Sequence, residues 1–290
     1  MTLLSLAGSS IERNGTMVPL GARPGAGTKW YPEDHRRQFG ATVTLDRGPR
    51  RNAINAQMMR ELIDVAHGFA ADEQTRAVIV RGEGTDFSVG ADLAQSSSSP
   101  AEPASLVMRR RAAELGASLM RALQEIHQPT ICAVQGVATG AGACIATACD
   151  FRIGAENARV GYGEVKVGIN LMWNAAPVCV HLIGPARAKR MIMTGKLFDA
   201  ETLERWGFLD EVVPLADLDA CAMAWAEEYA ALPPMAVQMI KRSINQVSGA
   251  LDRAIMHMDA DQWLLTSTSE DYKEAVGAFF EKRRPTFKGN

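Results

Sequence analysis

The sequence holds no Cys-x-x-Cys pair, and none of its five cysteines (Cys132, Cys144, Cys149, Cys179 and Cys221) is spaced against a histidine as a zinc site would require. No metal site is therefore expected, and reduced thiols in a cytosolic protein are the better reading. Charge of one sign is scarce too. The net charge is −2 and no basic stripe stands out beyond short arginine clusters, which argues against a nucleic-acid partner. No apolar run reaches the length of a membrane-spanning helix, so no membrane association is expected. Residues 1–8 are apolar but short, with no basic segment and no clear cleavage site, so no signal peptide is read and a cytoplasmic location is expected. A Gly-x-Ser-x-Gly nucleophile elbow is absent. Residues 21–29 superficially suggest a phosphate loop, but Thr28-Lys29 reverses the required order and no apolar strand precedes it. What remains is an ordinary soluble composition, 47% hydrophobic and 22% charged, in a chain of 290 residues that can bury a substantial core.

Glycine, by contrast, is concentrated. An apolar run over residues 130–134 enters a turn containing Gly136, Gly140 and Gly142 and leaves as an alanine-rich helix. Each glycine would cost about 0.5–1 kcal/mol inside a helix or strand, so the cluster points to a sharp bend with close approach by another group. A strand, glycine turn and helix in succession also aims the free N–H groups of the first helical turn, and the positive end of the helix dipole, at one point. Such a turn can hold an anion, or a carbonyl oxygen that is becoming one. Residues 87–93, Phe-Ser-Val-Gly-Ala-Asp-Leu, form a second turn of the same character after the buried-strand run at 77–80.

Around these turns the periodicities alternate. Residues 55–71 have helical apolar spacing at Met58, Met59, Leu62, Val65, Ala66 and Phe69, and a strand follows at 77–81. Residues 95–100 are serine-rich and of low complexity, and Pro103 suits the first turn of a helix running to about His127. A strand is read at Phe151–Ala155, and from Pro177 onward the pattern is almost wholly helical, over 185–193, 200–206, 215–231, 234–246 and 251–280. The N-terminal 40 residues stand apart. They include a Gly- and Pro-rich stretch, 15–40, of a length uncommon for a connection inside a compact domain. Three segments result: an atypical arm at 1–40, a core at 41–213 and a helical region at 214–290.

The two glycine turns, in this order and spacing, resemble those of the crotonase (enoyl-CoA hydratase/isomerase) superfamily. Residues 45–47 and 50–55 look like its first CoA-contacting loop, 194–200 through 211–214 like its late helical signature, and 280–285 like its C-terminal helix. The resemblance spans roughly residues 41–290. It implies an α/β fold, a spiral of ββα units that begins with two adjacent short strands, here 10–13 and 41–45, with a helical C-terminal region that builds trimers, often paired into hexamers. It also implies an acyl-CoA substrate whose coenzyme A needs no separate cofactor beside it, and a place in fatty-acid metabolism. The thioester oxygen would sit between the N–H groups of Ala91 and Ala141, beside Gly90 and Gly140. Asp92, Leu93 and Ala53 would border the adenine and the CoA loop, and Arg50, Arg51 and Lys282 would meet the phosphates. Glu164, flanked by apolar residues, matches the second glutamate of hydratases, and desolvation is expected to raise its pKa.

The first of the two hydratase glutamates is replaced by Cys144. A thiol cannot hold water as a second carboxylate does, and three chemistries stay open. One base can shift a double bond, as in enoyl-CoA isomerases. One glutamate can also support hydration with retro-aldol cleavage, as in hydroxycinnamoyl-CoA hydratase-lyases, whose loop residues 164–169 faintly resemble. Hydration of altered efficiency through Glu164 alone is the third. Cys144 itself reads better as an inert core thiol than as a nucleophile, since no base lies near it in sequence. Met172 and Trp173 stand where hydratases usually have a Pro- and Gly-rich turn, and they either reshape the acyl pocket, so that the substrate is not simply the family's short chain, or fill core. A non-catalytic acyl-CoA binder is the rival of another class.

Overall fold

The computed structural model describes residues 8–13, 16–19, 40–92 and 104–290. Leu93, the serine-rich stretch at 95–100, Pro103 and most of the 15–40 stretch lie outside the described residues. The main sheet has seven strands: β1 (Gly8–Arg13), β2 (Thr16–Pro19), β3 (Gly40–Asp46), β4 (Ala77–Gly82), β5 (Thr130–Val134), β7 (Phe151–Ala155) and β10 (Glu211–Val213), in the spatial order β10-β7-β5-β4-β3-β1-β2. From β3 to β10 all neighbours are parallel, whereas β1 is antiparallel to both β2 and β3. The N-terminal arm thus contributes two strands, and Ile11 stands opposite Val43 in register.

The parallel strands are near-continuous apolar runs because both faces of the sheet are covered. One face, with Val43, Val78, Val80, Cys132 and Val134, packs against three helices: α1 (Ala56–Gly68), α2 (Leu106–Gln124) and α3 (Ala141–Ala148). The alternate residues Ala77, Ile79, Ile131, Ala133 and Ile153 pack on the other face against Leu218, Ala222 and Ala226 of α7 (Leu218–Ala230). The period of two along each strand sorts the side chains between these layers.

Helix ends follow from local capping. The Asn55 side chain accepts from Met58 N–H at 2.8 Å to start α1, which turns Met58, Leu62, Val65 and Ala66 inward. Helix α2 begins at Ser105, whose hydroxyl accepts from Met108 N–H, and stops at Gln124, three residues short of the expected end at His127. Three further helices follow the core: α4 (Ala175–Ile183), α5 (Pro185–Thr194) and α6 (Ala200–Trp206). A second, three-stranded sheet of β6 (Val137–Thr139), β8 (Arg159–Gly161) and β9 (Phe198–Asp199) was not anticipated, because two- and three-residue strands beside glycines leave no periodicity to read.

The expected single helix over 251–280 is three: α9 (Arg253–Met256), α10 (Asp259–Thr266) and α11 (Glu270–Glu281), after α8 (Pro234–Ser248). The break before α11 is chemical. The hydroxyls of Ser267, Thr268 and Ser269 donate to the carbonyls of Leu264, Leu265 and Thr266, and Ser269 then caps α11 by accepting from Tyr272 N–H at 3.0 Å. Hydroxyl side chains that bond nearby backbone compete with the helical ladder. Helix α8 has no buried residue and is anchored by Lys241, whose ammonium lies 2.6 Å from Asp150 and donates to Gln128 O at 2.8 Å. Among the described residues no helix is long and apolar enough to cross a membrane.

Candidate active site

The two glycine turns lie side by side. Ser88 pairs with Ala138 in a parallel bridge, its N–H donating to Val137 O at 3.0 Å while its carbonyl accepts from Thr139 N–H at 3.0 Å. Gly90 has φ +94°, and a Cβ there would lie 2.8 Å from Thr139 O and 3.7 Å from Ala141 N. Gly140, at φ +52°, is the residue before α3, and a Cβ there would lie 3.2 Å from Glu164 Oε1. Both positions need glycine for the left-handed backbone as well as for the space. Gly90, Gly140, Ala141 and the Glu164 carboxyl therefore share one small volume, although 74 positions separate Gly90 from Glu164 in the sequence.

The N–H groups facing this volume are unspent. On the first turn, Ile54 N–H donates to Gly90 O at 2.8 Å and Asp92 N–H to Ile54 O at 2.9 Å, so the parallel bridge uses the atoms on either side of Ala91 N–H and leaves it turned the other way. Ala141 is the first residue of α3, where an N–H has no helical acceptor. Neither N–H finds an acceptor among the described residues. Two such donors, one at a helix N-terminus, can hold a single oxygen as it gains negative charge.

Glu164 opens a short 3-10 turn, Glu164–Val167. Its Oε2 is buried with no hydrogen-bond partner among the described residues, and desolvation pushes its carboxyl up to about 7. Only its own backbone N–H partly offsets this burial, so its proton affinity suits proton transfer near neutrality. Cys144 stands one turn into α3, fully buried, with its thiol pushed well up by desolvation and then by the facing Glu164, Cys179 and Asp259. Such a thiol is held neutral and is a poor nucleophile.

The residues around the outer part of the site are arranged unevenly. Arg50 is exposed and makes no ion pair among the described residues, whereas the Arg51 guanidinium is 2.7 Å from Asp86 and is partly spent on that pair. Asp92 is buried and lies 3.0 Å from Arg47. Ala53 is buried, and its carbonyl accepts from Arg47. Lys282 ends α11 in the left-handed conformation, exposed and without an ion pair among the described residues. Met172 and Trp173 are half-buried on the loop between Glu164 and α4. Among the described residues no group of three or more His, Cys, Asp and Glu could hold a metal ion.

Sequence reasoning passed over Asn52. Fully buried at φ +57°, its amide donates to Glu83 O (2.8 Å), Asp86 O (2.9 Å) and Phe87 O (3.2 Å), and its Oδ1 accepts from Arg47 N–H (2.9 Å). It ties the 50–55 loop to the turn that carries Ala91, and no local pattern marks it. Asn52→Ala strands several buried carbonyls and forces alanine into a left-handed position, so unfolding free energy should fall by about 3 kcal/mol in urea titration.

The chain matches known proteins over most of its length. The enoyl-CoA hydratase/isomerase family matches residues 38–290. The chain is 31% identical over 255 residues to the 1,2-epoxyphenylacetyl-CoA isomerase of Escherichia coli K12, covering 86% of this chain and 94% of that one. It is 31% identical over 246 residues to the short-chain-enoyl-CoA hydratase of Clostridium acetobutylicum, covering 84% and 92%. A crystal structure of an enoyl-CoA hydratase/isomerase from Pseudoalteromonas atlantica T6c superposes with a TM-score of 0.77 at 27% identity, over 88% of this chain and 97% of that one. With a match over most of its length and a mixed α/β fold shared with such enzymes, the chain belongs to the enoyl-CoA hydratase/isomerase family of the crotonase superfamily.

Proposed function

We propose that the protein binds an unsaturated acyl-CoA, holds its thioester oxygen between Ala91 N–H and Ala141 N–H, and moves a proton with Glu164 as the single acid–base group. The Glu164 carboxylate takes a proton from the carbon next to the thioester of a 3-enoyl-CoA. The electron pair delocalises onto the thioester oxygen, where the two N–H groups stabilise it. The same carboxyl returns the proton at the γ-carbon, giving the 2-enoyl-CoA. No further cofactor enters this balance, since coenzyme A arrives as part of the substrate. The exposed Arg50 and Lys282 are the cations for its phosphates.

The observation that carries this reading is the solitary buried carboxyl of Glu164 against Gly140, with the neutral Cys144 thiol where a second carboxylate would be needed to share a water. It favours a double-bond shift over hydration. Hydration through Glu164 is the second reading, supported by the name of the Clostridium relative. The test is incubation with 3-enoyl-, 2-enoyl- and hydroxycinnamoyl-CoA. Interconversion of the two enoyl esters without 3-hydroxyacyl-CoA supports isomerisation. A 3-hydroxyacyl product supports the second reading, release of an aldehyde means lyase chemistry, and tight binding without turnover of any ester removes the enzymatic reading.

The helical region supports an oligomer built from copies of this chain. Met235, Met239, Ile240, Ile244 and Val247 are all exposed on α8, and Leu251 continues the patch. A face this apolar on one helix is costly in water, and a second copy supplies the cover. Light scattering should give the mass of a homotrimer or hexamer, and Met239→Asp with Ile244→Asp should shift it to one chain while circular dichroism keeps its helical signal.

A further inference from the structure

Three features that each cost stability converge on the indole of Trp173. The first is backbone strain: Trp173 has φ +65° and Asn174 φ +60°, two consecutive non-glycine residues in the left-handed region. A bulky side chain there is an outlier, and such conformations persist only where the surroundings over-determine them. The second is Gly116, in the interior of α2, where glycine is unfavourable by about 1 kcal/mol relative to alanine. A Cβ at Gly116 would fall 1.9 Å from Trp173 Nε1, so the glycine exists as a slot for the ring. The third is Asp259, a carboxylate pushed up by burial, whose Oδ2 accepts from Asn174 N–H at 2.6 Å and pins the turn to α10.

The ring packs on the same core that holds Ala141 and Cys144. Trp173 packs on the main core, and the turn that carries it is nine residues after Glu164. Helix α2, which provides the slot, lies on the same face of the sheet as α3, whose N-terminus carries Ala141. Asp259, which holds the turn, faces the Cys144 thiol together with Glu164. A core filler could use any apolar residue in an unstrained conformation. Here the backbone is held against its preference so that one flat, half-buried ring stands in one place.

Resting on the reading of the site given above, we propose that Trp173 is the specificity-determining residue, closing the far end of the acyl pocket against α2 so that the substrate is a short-chain enoyl thioester. Each further methylene would have to displace the indole from the Gly116 slot, so discrimination rises steeply beyond that length.

The experiment measures kcat/KM for 2- and 3-enoyl-CoAs of four, six, eight and ten carbons, with binding of the matching saturated acyl-CoAs by calorimetry. Wild type should lose at least 10-fold in both readouts between six and ten carbons. Trp173→Gly, which suits the left-handed backbone and empties the slot, should raise the ten- to four-carbon ratio at least 10-fold, and Trp173→Phe should fall between the two. Retained thermal unfolding midpoints in both variants show that the fold is intact. A wild type indifferent to length, or a ratio unchanged in both variants, overturns the assignment. If no enoyl ester is turned over but saturated esters still show the length cut-off and its release, the proposed reaction fails and the role of Trp173 stands.

Discussion

Glu164→Gln should lower kcat by roughly 10³-fold, within the range of a positioned acid–base group, while binding of a saturated acyl-CoA changes less than about threefold. The amide has nearly the volume of the carboxyl and still fits against Gly140, but it cannot take a proton from carbon. The wild-type pH profile follows from the same burial. The ionised carboxylate is the base, so kcat/KM should rise with pH and level off above about 7, where desolvation has pushed this group. A profile flat from pH 5 to 9, or a variant within tenfold of wild type, would remove Glu164 from its role.

The same shift makes a stability prediction with a definite sign. A carboxyl whose folded pKa lies above its unfolded value binds its proton more tightly when folded. Its contribution is therefore fully present at pH below the unfolded pKa and is lost as pH rises through about 7. Moving from the ordinary value of 4.5 to about 7 corresponds to about 3 kcal/mol across that window. Glutamine does not titrate, so the unfolding free energy of Glu164→Gln relative to wild type should improve between pH 5 and pH 8. The variant would gain stability where it has lost function, as expected when an unpaired charge is kept buried for chemistry.

Ala141→Pro should be the second large loss, about 10²–10³-fold in kcat or ~2.7–4 kcal/mol, the magnitude of removing one oxyanion donor. The substitution is informative because Ala141 is the first residue of α3. Proline is well tolerated at that position, where the N–H has no helical partner. It replaces the N–H by a ring CH2 and leaves the helix, so the donor and the space for the oxygen are lost together. Ala141→Gly keeps the N–H and should stay within a few-fold of wild type, showing that the alanine methyl group is not what the site requires. If proline and glycine at 141 behave alike, the turn at Gly140 is a packing device and the two-donor arrangement is wrong. Turnover should fall further than acyl-CoA binding, because the lost donor acts mainly on charge that develops as the enolate forms, while the ring CH2 also crowds the bound oxygen.

Much of this was legible because the signals are local. The run Thr130–Val134 is buried throughout, and the strand read at 77–81 is found at Ala77–Gly82. The Asn55 cap and the spacing of Met58, Leu62 and Val65 define α1 by rules that act within one helical turn. Glycines at 90 and 140 signal sharp bends without saying what they approach. The C-terminal helices read as one because apolar residues stand on both sides of 266–269, whereas the four hydroxyl residues between them bond nearby backbone and interrupt the ladder. The second sheet was missed because its strands are shorter than any period that could announce them.

On its own, the order of side chains determined which stretches would be helix or buried strand, that two glycine bends would follow buried strands, and that one glutamate would lie among apolar neighbours. These are short-range matters of propensity, capping and period. Only the tertiary structure decided that Gly90 meets Thr139 and Ala141, that Gly140 meets Glu164, that Asn52 joins two loops, and that Gly116 makes room for Trp173 across 57 positions. Those pairings depend on packing between distant elements, where volume and unsatisfied hydrogen-bonding groups set the distances, and no local pattern encodes them.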